Sequence, residues 1–386
     1  MKYIGYFSSE VKELRRYGQR ESVLSATNKM SYIIDVLSSN GQVEIVSACG
    51  VKKHTGGGTA GLVNMNENVS LRFFYGINKK NKIMSFLSDA FLKIQLFFFL
   101  LLNTKKDEII LVYHSPSYCS IIRWIKKLTG CRLILEMEEV YADVNESRLL
   151  RKREMRLSSY ADAFLFPSKL MNEIINQKHK PYVIVHGTYR VEPYLQSVAL
   201  RDLDKGMKNR IINCVYAGTF DRRKGGVSAA VSAAEFLPSQ YHIHIIGFGS
   251  KEDTEQLLSQ IEAVNNKSSA VVYYDGKLSG EEYKCFLQCC DIGLSTQNPE
   301  GAFNDTSFPS KVLSYLANGL RVVSCRISAV EQSSVGGKIY YYDSQEPECI
   351  AEAIKKVDLN DEYDGRELVS NLDQVFRRDI KALLDK

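Results

Sequence analysis

The sequence lacks the cysteine and histidine spacing of a zinc site. Nine cysteines occur, but there is no CxxC pair and no histidine at zinc-ligand spacing from any of them. Cys285, Cys289 and Cys290 fall on one predicted helix, where we expect them to fill the core. An odd number of cysteines without a signal-peptide pattern is typical of a reduced, cytosolic protein. A disulfide scaffold, a zinc domain and cysteine catalysis are all unsupported.

The chain also lacks an uninterrupted apolar run that is long enough to span a bilayer. Its most apolar stretch, residues 83–102, is interrupted by Asp89, Lys93 and Gln95, and its longest unbroken segment is 96–102. We expect this stretch to form a helix that is mostly buried between sheet layers. The alternative is an interfacial helix that dips into a membrane surface.

Acidic residues are scarce in the first half of the chain. Residues 1–190 contain 28 lysines and arginines against 17 aspartates and glutamates, a net charge of +11; residues 191–386 contain 22 against 28, a net charge of −6. A basic half suggests an anionic partner, such as an acidic membrane face, a lipid diphosphate or nucleic acid. Scattered surface lysines are the alternative. No RNA- or DNA-binding motif is present, so we expect no nucleic-acid partner.

Strands and helices alternate along the whole chain, which is long enough for two cores. In the first half, apolar runs predict strands at 1–7, 43–48, 69–75, 108–113, 132–135, 163–166 and 182–185. In the second half they predict strands at 211–217, 242–246, 270–274, 291–295, 320–325 and 338–342. This alternation predicts an α/β protein with two Rossmann-like domains that face a cleft. We place the domains at 1–190 and 209–360, a linker at 191–208, and a helical tail with a break at 361–386.

One stretch of the second half, residues 307–324, predicts a loop, a short helix and a buried strand. Ser307 is a suitable N-cap and Pro309 suits the first helical turn. Ser310 and Lys311 then lie at the helix N-terminus, where free N–H groups and the helix dipole attract phosphate. The alternative is an ordinary loop with a solvated lysine.

A second stretch, residues 215–226, predicts a strand end, a glycine turn, a basic cluster and a glycine helix start. It offers another anion-binding loop in the same domain. One such loop is weak evidence. Two of them suggest a ligand that carries a diphosphate.

These stretches together resemble the retaining GT-B glycosyltransferases of family 4, which build bacterial capsule, exopolysaccharide and lipid-linked glycans. The residues that carry the resemblance are 216–225, 245–249, 274–276 and 308–323. Residues 28–30, 114–116 and 138–141 are similar more weakly. The resemblance implies an acceptor-binding N-terminal domain, a nucleotide-sugar-binding C-terminal domain, and a C-terminal helix at 361–386 that packs back on the N-terminal domain.

The resemblance also assigns roles to residues of the second half. The donor diphosphate and sugar would contact Gly218, Thr219, Arg223, Lys224, Gly225, Ser310 and Lys311. The nucleotide would contact Gly247, Gly249, Tyr274 and Ser314. Enzymes of this kind neutralise the departing diphosphate with lysine, arginine and helix dipoles. We therefore expect no metal and no cofactor; the nucleotide sugar is a co-substrate.

Three residues of the first half are candidates for catalysis. His114 occupies the position of a family residue near the reacting sugar, where it would hydrogen-bond a donor hydroxyl or orient the acceptor. Glu138 and Glu139 follow a predicted strand and could take the acceptor's proton as general base. The alternatives are a structural histidine and surface carboxylates. The donor phosphate itself could also accept that proton, so a base need not exist.

Two departures separate this sequence from the family pattern. Thr219 stands where the family usually has an arginine, although Arg222 or Arg223 could substitute. Two family glutamates are absent, because Thr306 and Ser314 occupy their positions. A loop residue such as Glu300, Asn304 or Asp305 could compensate. Because of these departures, the sequence does not identify the sugar of the donor, and an inactive paralogue is a further alternative.

The sequence therefore predicts a cytoplasmic glycosyltransferase of the hexosyltransferase class, peripheral on the inner membrane face. It would move a sugar from a nucleotide-diphosphate donor to a hydroxyl of a glycan or lipid-linked glycan in polysaccharide biosynthesis. One alternative is a non-catalytic GT-B-like partner that binds glycan or another transferase. Another is a nucleotide-sugar epimerase, for which we find no clear acid/base set.

Overall fold

The computed structural model describes residues 1–8, 12–21, 24–141, 147–194, 210–220, 225–298, 308–362 and 364–386. The chain divides into two compact units. The first comprises Met1–Thr188 and Val375–Lys386, and the second comprises Tyr189–Gln374. Most of the predicted linker, together with Arg223, Lys224, Thr306 and Ser307, lies outside the described residues.

The first unit is built on an eight-stranded sheet. Its strands are β1 (Lys2–Gly5), β2 (Val43–Ser47), β3 (Gly61–Asn64), β4 (Val69–Phe73), β5 (Ile109–Tyr113), β6 (Arg132–Glu136), β7 (Ala163–Phe166) and β8 (Tyr182–Ile184). Their spatial order is β3-β4-β2-β1-β5-β6-β7-β8, and only the β3–β4 pair is antiparallel. The central strands are apolar and buried, as parallel strands covered on both faces must be.

Helices cover this sheet. They are α1 (Leu24–Ser38), α2 (Lys82–Asn103), α3 (Cys119–Thr129), α4 (Arg148–Ser158) and α5 (Lys169–Ile175), and a 3₁₀ turn spans Lys12–Tyr17. Polar side chains begin several of them: Asn81 accepts from the Met84 N–H at 2.9 Å, and Ser168 from the Met171 N–H at 3.2 Å. Residues from α2, α3, α4 and α5 share one hydrophobic core with the strands.

The prediction of a mostly buried helix at 83–102 was wrong. Helix α2 is present, but only Ser88, Leu96 and Leu100 are buried in it. A helix resting on a sheet buries one face, and the apolar residues of this segment extend beyond that face, so its outer face stays exposed. By length and composition α2 could cross a membrane, and 17% of its most apolar window is buried; within the described ranges it is the one helix of this kind.

The second unit contains a six-stranded parallel sheet. Its strands are β9 (Ile212–Thr219), β10 (Tyr241–Phe248), β11 (Val271–Gly276), β12 (Ile292–Ser295), β13 (Arg321–Cys325) and β14 (Tyr340–Tyr342), in the order β11-β10-β9-β12-β13-β14. The helices are α6 (Gly226–Ser232), α7 (Lys251–Asn265), α8 (Gly280–Gln288), α9 (Ser310–Ala317), α10 (Ser328–Glu331), α11 (Pro347–Lys355) and α12 (Gly365–Leu384). Short 3₁₀ turns lie at Ala233–Phe236 and Gly336–Lys338.

The predicted fold class, an α/β protein with two mainly parallel sheets, is confirmed. The short edge strand β3 was missed, because four residues with a partly exposed pattern carry little signal. The predicted break in the C-terminal tail was wrong, since α12 is continuous. From Val375 onward α12 belongs to the first unit, where the Phe376 ring lies 5.6 Å from that of Tyr32.

The loop after β1 is organised by a buried arginine. Arg20 lies in this loop and is only 5% exposed. Its guanidinium donates to the carbonyl oxygens of Tyr17 (2.9 Å), Thr59 (2.9 Å) and Phe74 (2.7 Å). It therefore ties three loop segments together.

We expect Arg20→Ala to destabilise the first unit by about 2–4 kcal/mol, because it leaves buried carbonyl groups unpaired and a cavity behind. Urea unfolding measures the change. Arg16→Ala, at an exposed position in the same segment, is the control and should stay within about 0.5 kcal/mol of the wild type. Equal losses in both variants would refute a structural role that is specific to Arg20.

Candidate functional site

The second unit has a topological switch point between β9 and β12. These strands are neighbours, with Cys214 opposite Ile292 and Val215 opposite Gly293. The strand that follows β9 in the chain lies toward one edge of the sheet, and the strand that follows β12 lies toward the other edge. In open α/β sheets the crevice at the carboxyl ends of such strands is the usual ligand site. Helix α6 follows β9, and α9 begins close in sequence after β12.

Tyr315 anchors α9 at this switch point. Its hydroxyl, fully buried, accepts from the Ala217 N–H at 2.9 Å and lies 3.3 Å from the Leu294 carbonyl, to which it donates. A methyl group at Gly293 would lie 2.2 Å from the Tyr315 ring, so a glycine there makes room for it. The first turn of α9, with Lys311, is therefore held against the ends of β9 and β12.

Lys311 lies directly against the end of β9. Its Nζ is 3.6 Å from the centroid of the Tyr216 ring, a cation–π distance. A methyl group at Gly218 would lie 2.7 Å from the Lys311 Cε and 2.8 Å from its Nζ. Because Gly218 has no side chain, Lys311 can cross the end of β9. The structure brings these two predicted donor residues together.

The predicted nucleotide residues lie around the neighbouring strand end. Gly247 has a φ of +145°, and a methyl group on it would lie 1.8 Å from the Gly218 carbonyl oxygen, so only glycine fits. The Tyr274 hydroxyl donates to the Gly247 carbonyl at 3.4 Å. Gly249 packs against Phe220, where a methyl group would come within 2.8 Å of the Phe220 Cβ.

Ser314 lies one turn along α9 from Lys311, and its hydroxyl is 3.4 Å from that of Tyr283. Thr219 and Ser310 are exposed, at the end of β9 and the start of α9. Pro309, predicted inside the helix, is its N-cap, and no side chain of the described residues caps α9. Gly225 precedes α6 with a φ of +62°.

A cavity of about 390 Å³ lies elsewhere in the second unit, between α6 and α7. Its lining includes the predicted donor residue Gly225 together with Ser228, Asp253 and Gln345, but neither Gly218 nor Lys311. We do not assign the predicted donor site to it, because the described residues that line it include no lysine, arginine or histidine that could neutralise a diphosphate. Within the described ranges, no cluster of three or more His, Cys, Asp or Glu could hold a metal ion.

The first unit has its own switch point between β1 and β5. The Tyr6 hydroxyl, just after β1, lies 2.8 Å from the Ser115 Oγ and in close contact with the Ser117 Oγ, both after β5. These residues were not predicted as a group. The only signal was that a tyrosine and two serines follow strands that a parallel sheet would make neighbours.

His114 follows β5 and is buried, with 1% of its surface exposed. Burial lowers its pKa to about 4, so the imidazole is neutral at pH 7. Its Nε2 is 3.6 Å from the Glu154 Oε1, too far for a hydrogen bond. Its Nδ1 has no hydrogen-bond partner within the described part of the chain. A buried, unpartnered nitrogen of this kind can accept or donate one further hydrogen bond.

Glu138 follows β6 and pairs with a lysine. The Nζ of Lys29, from α1, is 2.7 Å from the Glu138 Oε1 and also donates to the Val185 carbonyl at 2.7 Å. Burial raises the pKa of Glu138, and Lys29 opposes that shift. About 24% of the Glu138 side chain is exposed, although its Oε1 is buried. Glu139 is half-buried beside it.

Glu136, at the end of β6, is the acid that the sequence analysis missed. It is fully buried, and the Tyr3 hydroxyl donates to its Oε2 at 2.6 Å. Burial, together with the neighbouring Glu138, raises its pKa to about 8. Its Oε1 has no partner among the described residues. Glu136 and Glu138 are two residues apart in an extended segment, and such residues lie on the same face of the chain. This spacing could have predicted that the two carboxyl groups are neighbours.

No protein-family model matches the sequence, and no curated protein matches it either. Solved structures resemble it over its full length. An E. coli trehalose-6-phosphate protein bound with UDP-2-fluoro glucose is 10% identical with a TM-score of 0.69, covering 100% of this chain and 98% of that one. Sucrose-phosphate synthase from Thermosynechococcus elongatus is 13% identical with a TM-score of 0.68, covering 99% and 98%.

A third similar structure is a UDP-forming α,α-trehalose-phosphate synthase from Burkholderia xenovorans in complex with glucose-6-phosphate. It is 11% identical with a TM-score of 0.64, and the match covers 100% of both chains. These likenesses show that the chain has the GT-B fold that the sequence predicted. They do not single out family 4 or the capsule-building enzymes. The class defined by the fold is GT-B; what the chain does must be argued from its sites.

We expect the low pKa of His114 to appear in the pH dependence of stability. Between pH 6.5 and 4 the unfolded chain binds a proton at this residue that the folded chain does not bind. Stability is therefore lost as the pH falls through this window, by about 3 kcal/mol. His114→Gln should lack this part of the loss in urea unfolding at pH 7 and pH 4.5. His54→Gln, at an exposed position, is the control; an unchanged profile in His114→Gln would contradict the assignment.

Glu136 should produce the opposite slope. Its raised pKa means that the folded chain keeps a proton up to about pH 8, whereas the unfolded chain releases it near its ordinary value. Stability due to this group is present at low pH and is lost as the pH rises. Glu136→Gln, which mimics the protonated acid, should gain stability relative to the wild type between pH 5 and 8. Glu173→Gln, on the surface, should follow the wild type.

Proposed function

We propose that the protein is a glycosyltransferase that moves a sugar from a nucleotide-diphosphate donor to a hydroxyl acceptor. The observation that carries the proposal is the contact of Lys311 with Gly218 at the switch point of the second unit. A lysine held at the first turn of a helix, beside an open strand end, provides positive charge and backbone N–H groups where a diphosphate would bind.

The chemistry of the donor explains why such a group is needed. When the bond from sugar to phosphate breaks, negative charge develops on the nucleoside diphosphate that leaves. Lys311 would stabilise this charge more in the transition state than in the ground state, which is the requirement for catalysis. The sequence resemblance adds Lys224 and Arg223 to the same role, and on that basis we propose a reaction that needs no metal.

The nucleotide would extend from this position over the end of β10. Gly247 and Gly249 have no side chains there, so a ligand could approach the backbone closely, and the Tyr274 ring lies beside them. Ser314 would face the ribose with a hydroxyl where the family has a carboxylate. One similar structure holds UDP-2-fluoro glucose and another is named as UDP-forming, which makes a uridine nucleotide the first candidate.

In the first unit, His114 would contact the reacting sugar as a neutral hydrogen-bonding group, because burial prevents its protonation at pH 7. Glu138 or Glu139 would receive or orient the acceptor hydroxyl. We propose a glycan or lipid-linked glycan as acceptor, retention of configuration, and a family-4-like role in capsule or exopolysaccharide synthesis in the cytoplasm. These finer features rest on the sequence resemblance; the similar structures point instead to sugar phosphates, as in the glucose-6-phosphate complex.

The second candidate function is a non-catalytic GT-B-like partner. The observation that favours it is the loss of both family glutamates, with Thr306 and Ser314 at their positions. Retention of Lys224 and Lys311 opposes it. A partner without activity could still bind glycan, but it would have no use for a nucleoside diphosphate.

We expect UDP or GDP to stabilise the protein against heating. A ligand at about 100 times its Kd adds roughly 2.7 kcal/mol. Lys311→Met removes a charged contact with the diphosphate and should weaken binding by about 10- to 100-fold. Gly218→Ala should act similarly, because its methyl group would displace the lysine. Lys224→Ala tests the prediction from the resemblance.

Two matched variants of the second unit control this experiment. Lys267→Met removes an exposed lysine, and Gly337→Ala adds a methyl group where nothing lies within 4 Å; both should respond like the wild type. No stabilisation by any nucleotide at millimolar concentration would refute the donor site. Binding without release of nucleoside diphosphate from any nucleotide sugar, in the presence of glycan and lipid-linked acceptors, would favour the non-catalytic partner.

A further inference from the structure

Helix α2 exposes an unbroken apolar stripe. Ile83, Leu87, Phe91, Ile94, Phe98 and Leu102 follow one another at spacings of four, four, three, four and four residues, so they share one face of the helix. Their exposed fractions run from 38% at Phe91 to 78% at Leu102. At about 1.5 Å per residue the stripe is roughly 28 Å long. Single exposed apolar residues are normal, but a continuous patch of this size marks an interaction site.

The opposite face of α2 attaches the helix to the first unit. Leu96 and Leu100 are 1% and 0% exposed and belong to the hydrophobic core. The charged residues Asp89 and Lys93 do not interrupt the stripe, and Asp89 pairs with Lys79 at 2.9 Å. The helix therefore cannot leave the sheet to cross a membrane without exposing that core. It can only present its outer face to something else.

Helix α3 packs beside α2 and continues the exposed surface. Trp124 and Leu128 are 49% and 56% exposed on it. The Lys127 Nζ lies 5.4 Å from the Trp124 ring and 5.3 Å from the Tyr160 ring. Tryptophan with a neighbouring lysine is the combination found where protein meets the headgroup region of a bilayer.

The exposed charges of α3 and α4 have one sign. Helices α3 and α4 together carry eight basic residues: Arg123, Lys126, Lys127, Arg148, Arg151, Lys152, Arg153 and Arg156. Six of them are exposed. The one acidic residue in these two helices, Glu154, is 1% exposed and thus does not contribute to the surface. Helix α4 packs against α3, so the basic surface adjoins the apolar one.

We propose that the outer surface of α2, α3 and α4, called here the α2–α4 face, docks the protein on an anionic lipid bilayer. The apolar stripe would enter the boundary between headgroups and acyl chains, and the basic side chains would lie over anionic headgroups. A second copy of the chain fits less well. A two-fold contact would bring the same patch of both copies together, and with it their like charges.

Vesicle binding tests this proposal. Wild-type protein should co-sediment with vesicles of phosphatidylglycerol and phosphatidylcholine, and much less with phosphatidylcholine alone. Trp124 is the only tryptophan of the chain, so its emission should shift to the blue on addition of the anionic vesicles. The vesicles contain neither nucleotide nor acceptor. Binding to them is therefore independent of the proposed donor site, and either proposal can fail while the other stands.

Paired variants separate the two parts of the surface. Ile94→Ser with Phe98→Ser should weaken vesicle binding by at least about tenfold. Leu62→Ser, on the 48%-exposed residue of β3, is the apolar control. Lys127→Gln with Lys152→Gln should weaken binding about fivefold for each charge removed. Lys52→Gln with Lys53→Gln removes two exposed charges elsewhere in the first unit and should have little effect.

Three outcomes would overturn the whole proposal, and a fourth would overturn the part of it that concerns charge. The first is no binding of the wild type to anionic vesicles at low salt. The second is binding that the α2 variant and its control weaken equally. The third is a dimer in analytical ultracentrifugation that the α2 variant dissociates, without vesicle binding, which would assign the face to a second copy. Equal binding to neutral and anionic vesicles would refute the role of the basic residues.

Discussion

The buried hydroxyl of Tyr315 is the contact on which the crevice of the second unit depends. The ladder between β9 and β12 ends at Val215 and Gly293, and beyond it the strands no longer pair. The Ala217 N–H and the Leu294 carbonyl would then be buried without partners, at a cost of about 1–3 kcal/mol each. The Tyr315 hydroxyl satisfies both groups. Because the tyrosine belongs to α9, the same two hydrogen bonds hold Lys311 against Gly218.

The first unit also buries polar groups at its strand ends, and there the groups are ionisable. At the carboxyl ends of β5 and β6, His114 and Glu136 are buried where neither can easily be charged, and Glu138 is charge-compensated by Lys29. Such groups cost free energy when they are left without partners. Among the described residues, this region retains an unpartnered imidazole nitrogen and an unpartnered carboxyl oxygen. Its hydrogen bonding is thus incomplete, as expected where a polar ligand completes it.

Helix α2 illustrates a different constraint. Packing on the sheet can bury only one face of this helix, but its apolar residues extend beyond that face. The outer apolar face has no partner within the described residues. The adjacent helices concentrate basic side chains around it. Burial, charge and exposure thus distinguish three regions of the chain: the strand ends of each unit, where polar groups converge, and one outer face, where apolar and basic groups converge.

The sequence by itself determined the alternation of strands and helices, the two sheets, and the positions of Gly218 and Lys311 at strand and helix ends, because periodicity and glycine or proline punctuation are local properties. It pointed to Glu138 but missed Glu136, and it misjudged α2, since burial depends on what packs against a residue. Only the tertiary structure decided that Lys311 crosses Gly218, that Arg20 is structural, and that α2 is exposed. Each of these depends on contacts between segments that are distant along the chain, which no local pattern encodes.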